Sequence, residues 1–97
     1  MLTPEGWEKK ELDEYLESIG AYIVKPTTGG FGASGHADRV VCIQGMFFSL
    51  EVKRPGKGPT PLQSRRITEV EAAGGFAVAG TAEVIITFIK AAISETN

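Results

Sequence analysis

The sequence predicts a small α/β domain, and three observations carry that prediction. The first is a pair of short runs, Arg39 to Ile43 and Met46 to Val52, rich in β-branched and aromatic residues and hinged at Gln44-Gly45, which reads as a β-hairpin. The second is three stretches that each open on a threonine and continue with apolar residues at helical spacing. The third is two short apolar runs, Ala21 to Val24 and Phe76 to Ala79, that fall between the hairpin and the helices as further strands. With 97 residues the chain has room for one domain, residues 1–97, and a modest core.

Taken in order, Thr3 is an N-cap, with Pro4 at the first helical position and Glu5 in the first turn. Leu12, Tyr15, Leu16 and Ile19 form the apolar stripe, and Gly20 ends the helix. Glu8 stands one turn before Leu12 on that stripe and Glu5 one turn further out. Glu8 therefore either interacts with the helix dipole or reaches the hairpin as an extra carboxylate, with Glu5 as the alternative. After the strand at 21–24, Lys25 to Gly35 reads as a glycine-rich loop. Gly30, Gly32 and Gly35 spell the G-x-G-x-x-G of dinucleotide sites. They lead into a strand rather than a helix, so that reading is rejected. His36 reads as a turn residue and Cys42 as a small core residue. Beyond the hairpin, Arg54 to Pro59 is a loop. Thr60, Pro61 and Gln63 begin a helix with a capping box. Its stripe runs through Ile67, Val70 and Ala73, and Gly74-Gly75 ends it. Thr81 caps the last helix, which carries Val84, Ile85, Phe88, Ile89 and Ile93. The element order is α-β-β-β-α-β-α.

Hairpin arithmetic makes the charges informative. With Gln44-Gly45 as a two-residue turn, Ile43 faces Met46 and Asp38 faces Glu51. Facing residues have Cβ atoms about 4.5–5.5 Å apart, and like charges so placed repel. A proton, Lys53 or a hard divalent cation such as Mg²⁺ or Mn²⁺ would offset the repulsion. Glu51 and Lys53 share a strand face. The net charge of −2 conceals an asymmetry. Residues 1–20 hold six acids against Lys9 and Lys10, whereas residues 21–66 hold seven bases, and their two acids are Asp38 and Glu51. The bases Lys25, Arg39, Arg54, Lys57, Arg65 and Arg66 suit a phosphate backbone held near a metal site. One cysteine excludes an intrachain disulfide or a multi-cysteine zinc site. No apolar run reaches membrane-spanning length, and the acidic start is unlike a signal peptide, so an intracellular location is expected.

These motifs resemble the PD-(D/E)XK nuclease superfamily, and within it the VRR-NUC group in its minimal standalone, phage-type form. The resemblance rests on K-P-T-T-G-G-F-G (25–32), G-H-A-D (35–38), G-M-F-F-S-L-E-V-K-R-P (45–55), T-P-L-Q (60–63) and A-G-G-F-A (73–77). It departs at Ala37, where the family usually has proline. The resemblance implies a restriction-endonuclease-like core, a small mixed sheet flanked by helices. It implies that Asp38 and Glu51, with the Val52 carbonyl, hold Mg²⁺ or Mn²⁺, and that Lys53 orients the attacking water. Gln63 corresponds to the family's motif glutamine, and Glu8 or Glu5 to its first-helix acid. It further implies a structure-selective endonuclease acting on branched DNA such as Holliday junctions, homodimeric, in the cytoplasm of a phage-infected host. The C-terminal helix is the expected dimer surface. The competing expectation is a DNA-binding module that kept the fold without the chemistry.

Overall fold

The computed structural model describes residues 1–26 and 37–96. The glycine pattern at 30–35 and His36 lie outside the described residues. The elements are α1 (Pro4–Ser18), β1 (Tyr22–Val24), β2 (Arg39–Ile43), β3 (Met46–Val52), α2 (Pro61–Ala72), β4 (Phe76–Gly80) and α3 (Ala82–Thr96). The strands form one sheet in the order β1-β2-β3-β4. β1, β2 and β3 are antiparallel, and β4 joins β3 in parallel. The parallel pair requires a crossover, which α2 supplies.

Local chemistry sets most of these boundaries. Gln44 and Gly45 both have positive φ, 52° and 80°, as the two central residues of a type I′ hairpin turn require. Ile43 pairs with Met46 and Arg39 with Leu50, the register expected from a two-residue turn. The Thr3 hydroxyl accepts from the Gly6 N–H at 2.9 Å and begins α1. Thr60 and Gln63 form a reciprocal capping box that begins α2. Thr81 accepts from the Val84 N–H at the start of α3. Gly75 lies where β4 tucks under α2; a Cβ there would meet Val70 at 2.9 Å and Phe47 at 3.0 Å.

The core fills one face of the sheet. Val41, Ile43, Phe48, Leu50 and Val52 point to that face and pack against Leu12 and Leu16 of α1 and Ala82, Ile85, Ile89 and Ala92 of α3. Phe48 stacks on Phe76 at 5.0 Å and meets Phe88 edge-on. On the outer face, Val70 of α2 lies against Phe47 and β4, beside the β2–β3 turn. Tyr22, Val24 and Phe47 are left exposed on that face.

Three expectations change here. Cys42 is exposed rather than buried, because it lies between inward-facing Val41 and Ile43 and pairs with outward-facing Phe47. The α2 stripe is only half-buried at Ile67 and Val70, and Ala73 is exposed, because α2 buries no residue fully. The apolar side of α3 is not a free surface. Ile85 and Ile89 are completely buried, Ile86, Phe88 and Ile93 pack beside them, and of its large apolar residues Val84 is the exposed one. No helix among the described residues is long and apolar enough to cross a membrane.

Candidate active site

The hairpin register, continued one step past Arg39–Leu50, sets Asp38 opposite Glu51 at the end of the sheet away from the Gln44-Gly45 turn. Asp38 has left the ladder but still serves it: its Oδ2 accepts the Val52 N–H at 2.8 Å. The adjoining Lys53 N–H turns to β4 and donates to the Gly80 carbonyl at 2.8 Å. Two successive amides thus fix both sides of the Glu51-Val52-Lys53 stretch.

Glu51 is 8% exposed and is the one charged residue among the buried side chains of the described residues. Burial, a hydrogen bond with Asp38 and the Asp38 charge push its carboxyl up to about 8; Lys53 works against them and Glu5 with them. Glu51 therefore keeps a proton near neutral pH, the outcome expected of a buried acid that faces another. Lys53 lies beside them in a groove of about 540 Å³ lined also by Glu5, Arg54, Lys57 and Thr60. A second hollow, about 560 Å³ and largely apolar, lies by Met46, Phe47, Val70 and Phe76 near the hairpin turn, at the sheet's opposite end.

The first helix contributes differently from expectation. Glu8 accepts the Ala82 N–H at 2.9 Å and so satisfies the N-terminus of α3 across 74 residues of sequence. Glu5, the alternative, is the α1 acid whose charge acts on Glu51. Lys9, one of two bases in an acidic helix, bridges the two parts. Its Nζ is 3.3 Å from Glu5 Oε2 and 3.4 Å from Asp38 Oδ1. Its signal in the sequence was the i, i+4 spacing from Glu5. Replacing Glu8 with Ala is expected to cost about 1 kcal/mol, the usual value of a helix N-cap, as a lower urea midpoint. Metal affinity should stay unchanged; a loss of affinity would make Glu8 a site carboxylate after all.

The basic residues divide into two groups. Arg39 is 12% exposed in its side chain and forms a bidentate pair with Asp13, at 2.7 and 2.9 Å. Its Nη1 donates to the Asp38 carbonyl at 2.8 Å, so it braces the site from behind. Lys25 joins the same acid at 3.3 Å. Burial works to raise the Asp13 carboxyl, but the hydrogen bonds and charges of Arg39 and then Lys25 hold it below its ordinary value. Asp13 was not foreseen; it stands on α1 and meets Arg39 only in the folded chain. Arg54, Lys57 and Arg65 are exposed, and Arg66 is exposed while paired with Glu69 at 2.9 Å. Gln63 spends its side-chain oxygen on the Thr60 N–H.

Two carboxylates and a strand-end carbonyl form an all-oxygen donor set. No group of three or more His, Cys, Asp or Glu side chains is arranged for a metal among the described residues. Such a sparse set still fits Mg²⁺, which is commonly held by one or two carboxylates with water and substrate phosphate completing its shell.

No family model matches the chain, and no curated protein does. Among solved structures it is similar to one described as a VRR_NUC domain, with a TM-score of 0.76 and 27% identity, over 91% of this chain and 96% of the other.

Proposed function

Because the chain folds as a VRR-NUC domain, a nuclease-like fold, we propose that it is a metal-dependent endonuclease that hydrolyses DNA phosphodiesters at branched structures. The observation that carries the reading is the facing pair Asp38 and Glu51, drawn together at the sheet end with Lys53 beside them in an open groove. In this reading Asp38, Glu51 and the Val52 carbonyl hold Mg²⁺ or Mn²⁺. A residue in an extended strand points its N–H and C=O to the same neighbour, and the Val52 N–H already points to Asp38. When bound, such an ion polarises the phosphoryl oxygen and acidifies its water.

The chain's own residues perform the rest. Lys53 orients the attacking water and steadies charge that develops on the phosphate. Arg54 and Lys57 line the groove and hold the backbone. Arg65 and Arg66 extend that hold along α2. Glu5 is the α1 acid better placed than Glu8 to support the pair. Symmetric cutting of a junction calls for two copies related by a twofold axis. The exposed Tyr22, Val24 and Phe47 are the apolar surface such a pair would cover.

Incubating the protein with four-way, flapped and linear DNA, in Mg²⁺, Mn²⁺ or chelator, tests the reading. Cleavage that requires a divalent ion and favours branched DNA is expected. Salt-sensitive binding with no cleavage in any divalent ion would instead leave a DNA-binding module on a nuclease fold.

A further inference from the structure

We propose that Lys9 is a built-in counter-ion that occupies the cation position of this site until a metal displaces it. The inference rests on the metal-site reading above and adds to it a residue and a regulation. Asp38 has two carboxylate oxygens. Oδ2 is committed to the Val52 N–H at 2.8 Å, which leaves Oδ1 to meet a cation. Lys9 Nζ stands 3.4 Å from that oxygen. Arg39, which also feels the Asp38 charge, is directed to Asp13 and to the Asp38 main-chain carbonyl.

The placement of Lys9 is imposed by the fold. Leu12 and Leu16 are completely buried, Glu8 is bonded to the start of α3, and Asp13 is bonded to Arg39. These anchors fix the backbone of α1 on either side of Lys9. The side chain itself remains movable: an ammonium is a compact point charge on a flexible stem, unlike a guanidinium locked in a fork. Glu5 Oε2, 3.3 Å from the same Nζ, gives it a resting place once Asp38 is taken. A divalent ion approaching Oδ1 must therefore displace Lys9, and Lys9 then stays paired with Glu5, one helical turn away.

The test is Mn²⁺ binding, followed by the electron paramagnetic resonance of the free ion at pH 8.5, to wild type, Lys9→Met and Lys10→Met. Lys10 is paired with Glu14 at 3.1 Å on the exposed side of α1, so its variant changes the net charge equally without touching the site. Lys9→Met is expected to bind Mn²⁺ about threefold to tenfold more tightly, the scale of one or two part-exposed ion pairs. Lys10→Met should match wild type. Without metal, Lys9→Met should melt lower than wild type, and Mn²⁺ should raise its melting point by more. If Lys9→Met does not fold, Lys9→Gln carries the same expectations. Wild type that binds while the Lys9 variants bind equally or less tightly would overturn the inference and leave the metal centre standing. Binding in none of the proteins would overturn both.

Discussion

Lys53→Met is expected to lower the single-turnover rate of DNA cleavage by about 10²- to 10³-fold, with little change in the DNA concentration needed for half-maximal rate. That is the usual cost of deleting one preorganised charge aimed at a developing oxyanion. The argument rests on position. Lys53 shares a strand face with Glu51, acts electrostatically on it and lines the groove, while its N–H is fixed to Gly80. The substitution therefore removes the ammonium and leaves the strand in place. Asp38→Asn is the companion change. Its side-chain oxygen still accepts the Val52 N–H, so the fold should survive, but the site loses a formal charge and cleavage should fall at least as far. A Lys53→Met protein that cuts at the wild-type rate would remove Lys53 from the chemistry.

The second large effect concerns pH. A carboxyl held at about 8 in the folded chain, against an ordinary 4.5, keeps a proton that the unfolded chain has released. The associated stability is complete below about pH 4.5 and is lost as pH rises through 8. Metal-free protein should therefore melt progressively lower between pH 5 and 8.5, by a free energy on the order of 3 kcal/mol. Glu51→Gln replaces the proton that Glu51 keeps with a permanent amide donor. Its melting point should be nearly flat over that range and higher than wild type at pH 8. Saturating Mn²⁺ should restore wild type at pH 8.5 and leave Glu51→Gln unmoved. A flat wild-type profile would mean that Glu51 does not keep its proton in the folded chain.

These experiments turn on features of unequal legibility in the sequence. The hairpin register was readable because Gln44-Gly45 fixes it within two residues, and the helix starts were readable because Thr3, Thr60 and Thr81 cap their own helices. Such chemistry is local. The partners of Glu8 and Asp13 were not readable, because Ala82 and Arg39 come near only when α1 is laid on the sheet. Cys42 failed for another reason. Pairing arithmetic puts it opposite Phe47, on the face of Glu51, against the usual preference of cysteine for the interior. The outcome depends on which face the helices cover, and α1 and α3 both chose the other. The C-terminal helix shows the same limit: its apolar residues announce burial, but not whether the covering partner is its own sheet or a second molecule.

The bond from the Val52 N–H to Asp38 has a consequence for how such a site is inherited. The last rung of the hairpin is closed by a side chain, so position 38 answers to two selections at once. One asks for an oxygen that completes the sheet; the other, under the proposed chemistry, asks for a negative charge. The side chain at position 53 has no such structural duty, since the structural bond there comes from the main chain. A lineage that abandoned catalysis would thus shed its lysine freely while still favouring an acceptor at 38. Under the proposed chemistry, an acid at 38 without a lysine at 53 would serve the sheet alone, and the two together would serve the sheet and the reaction.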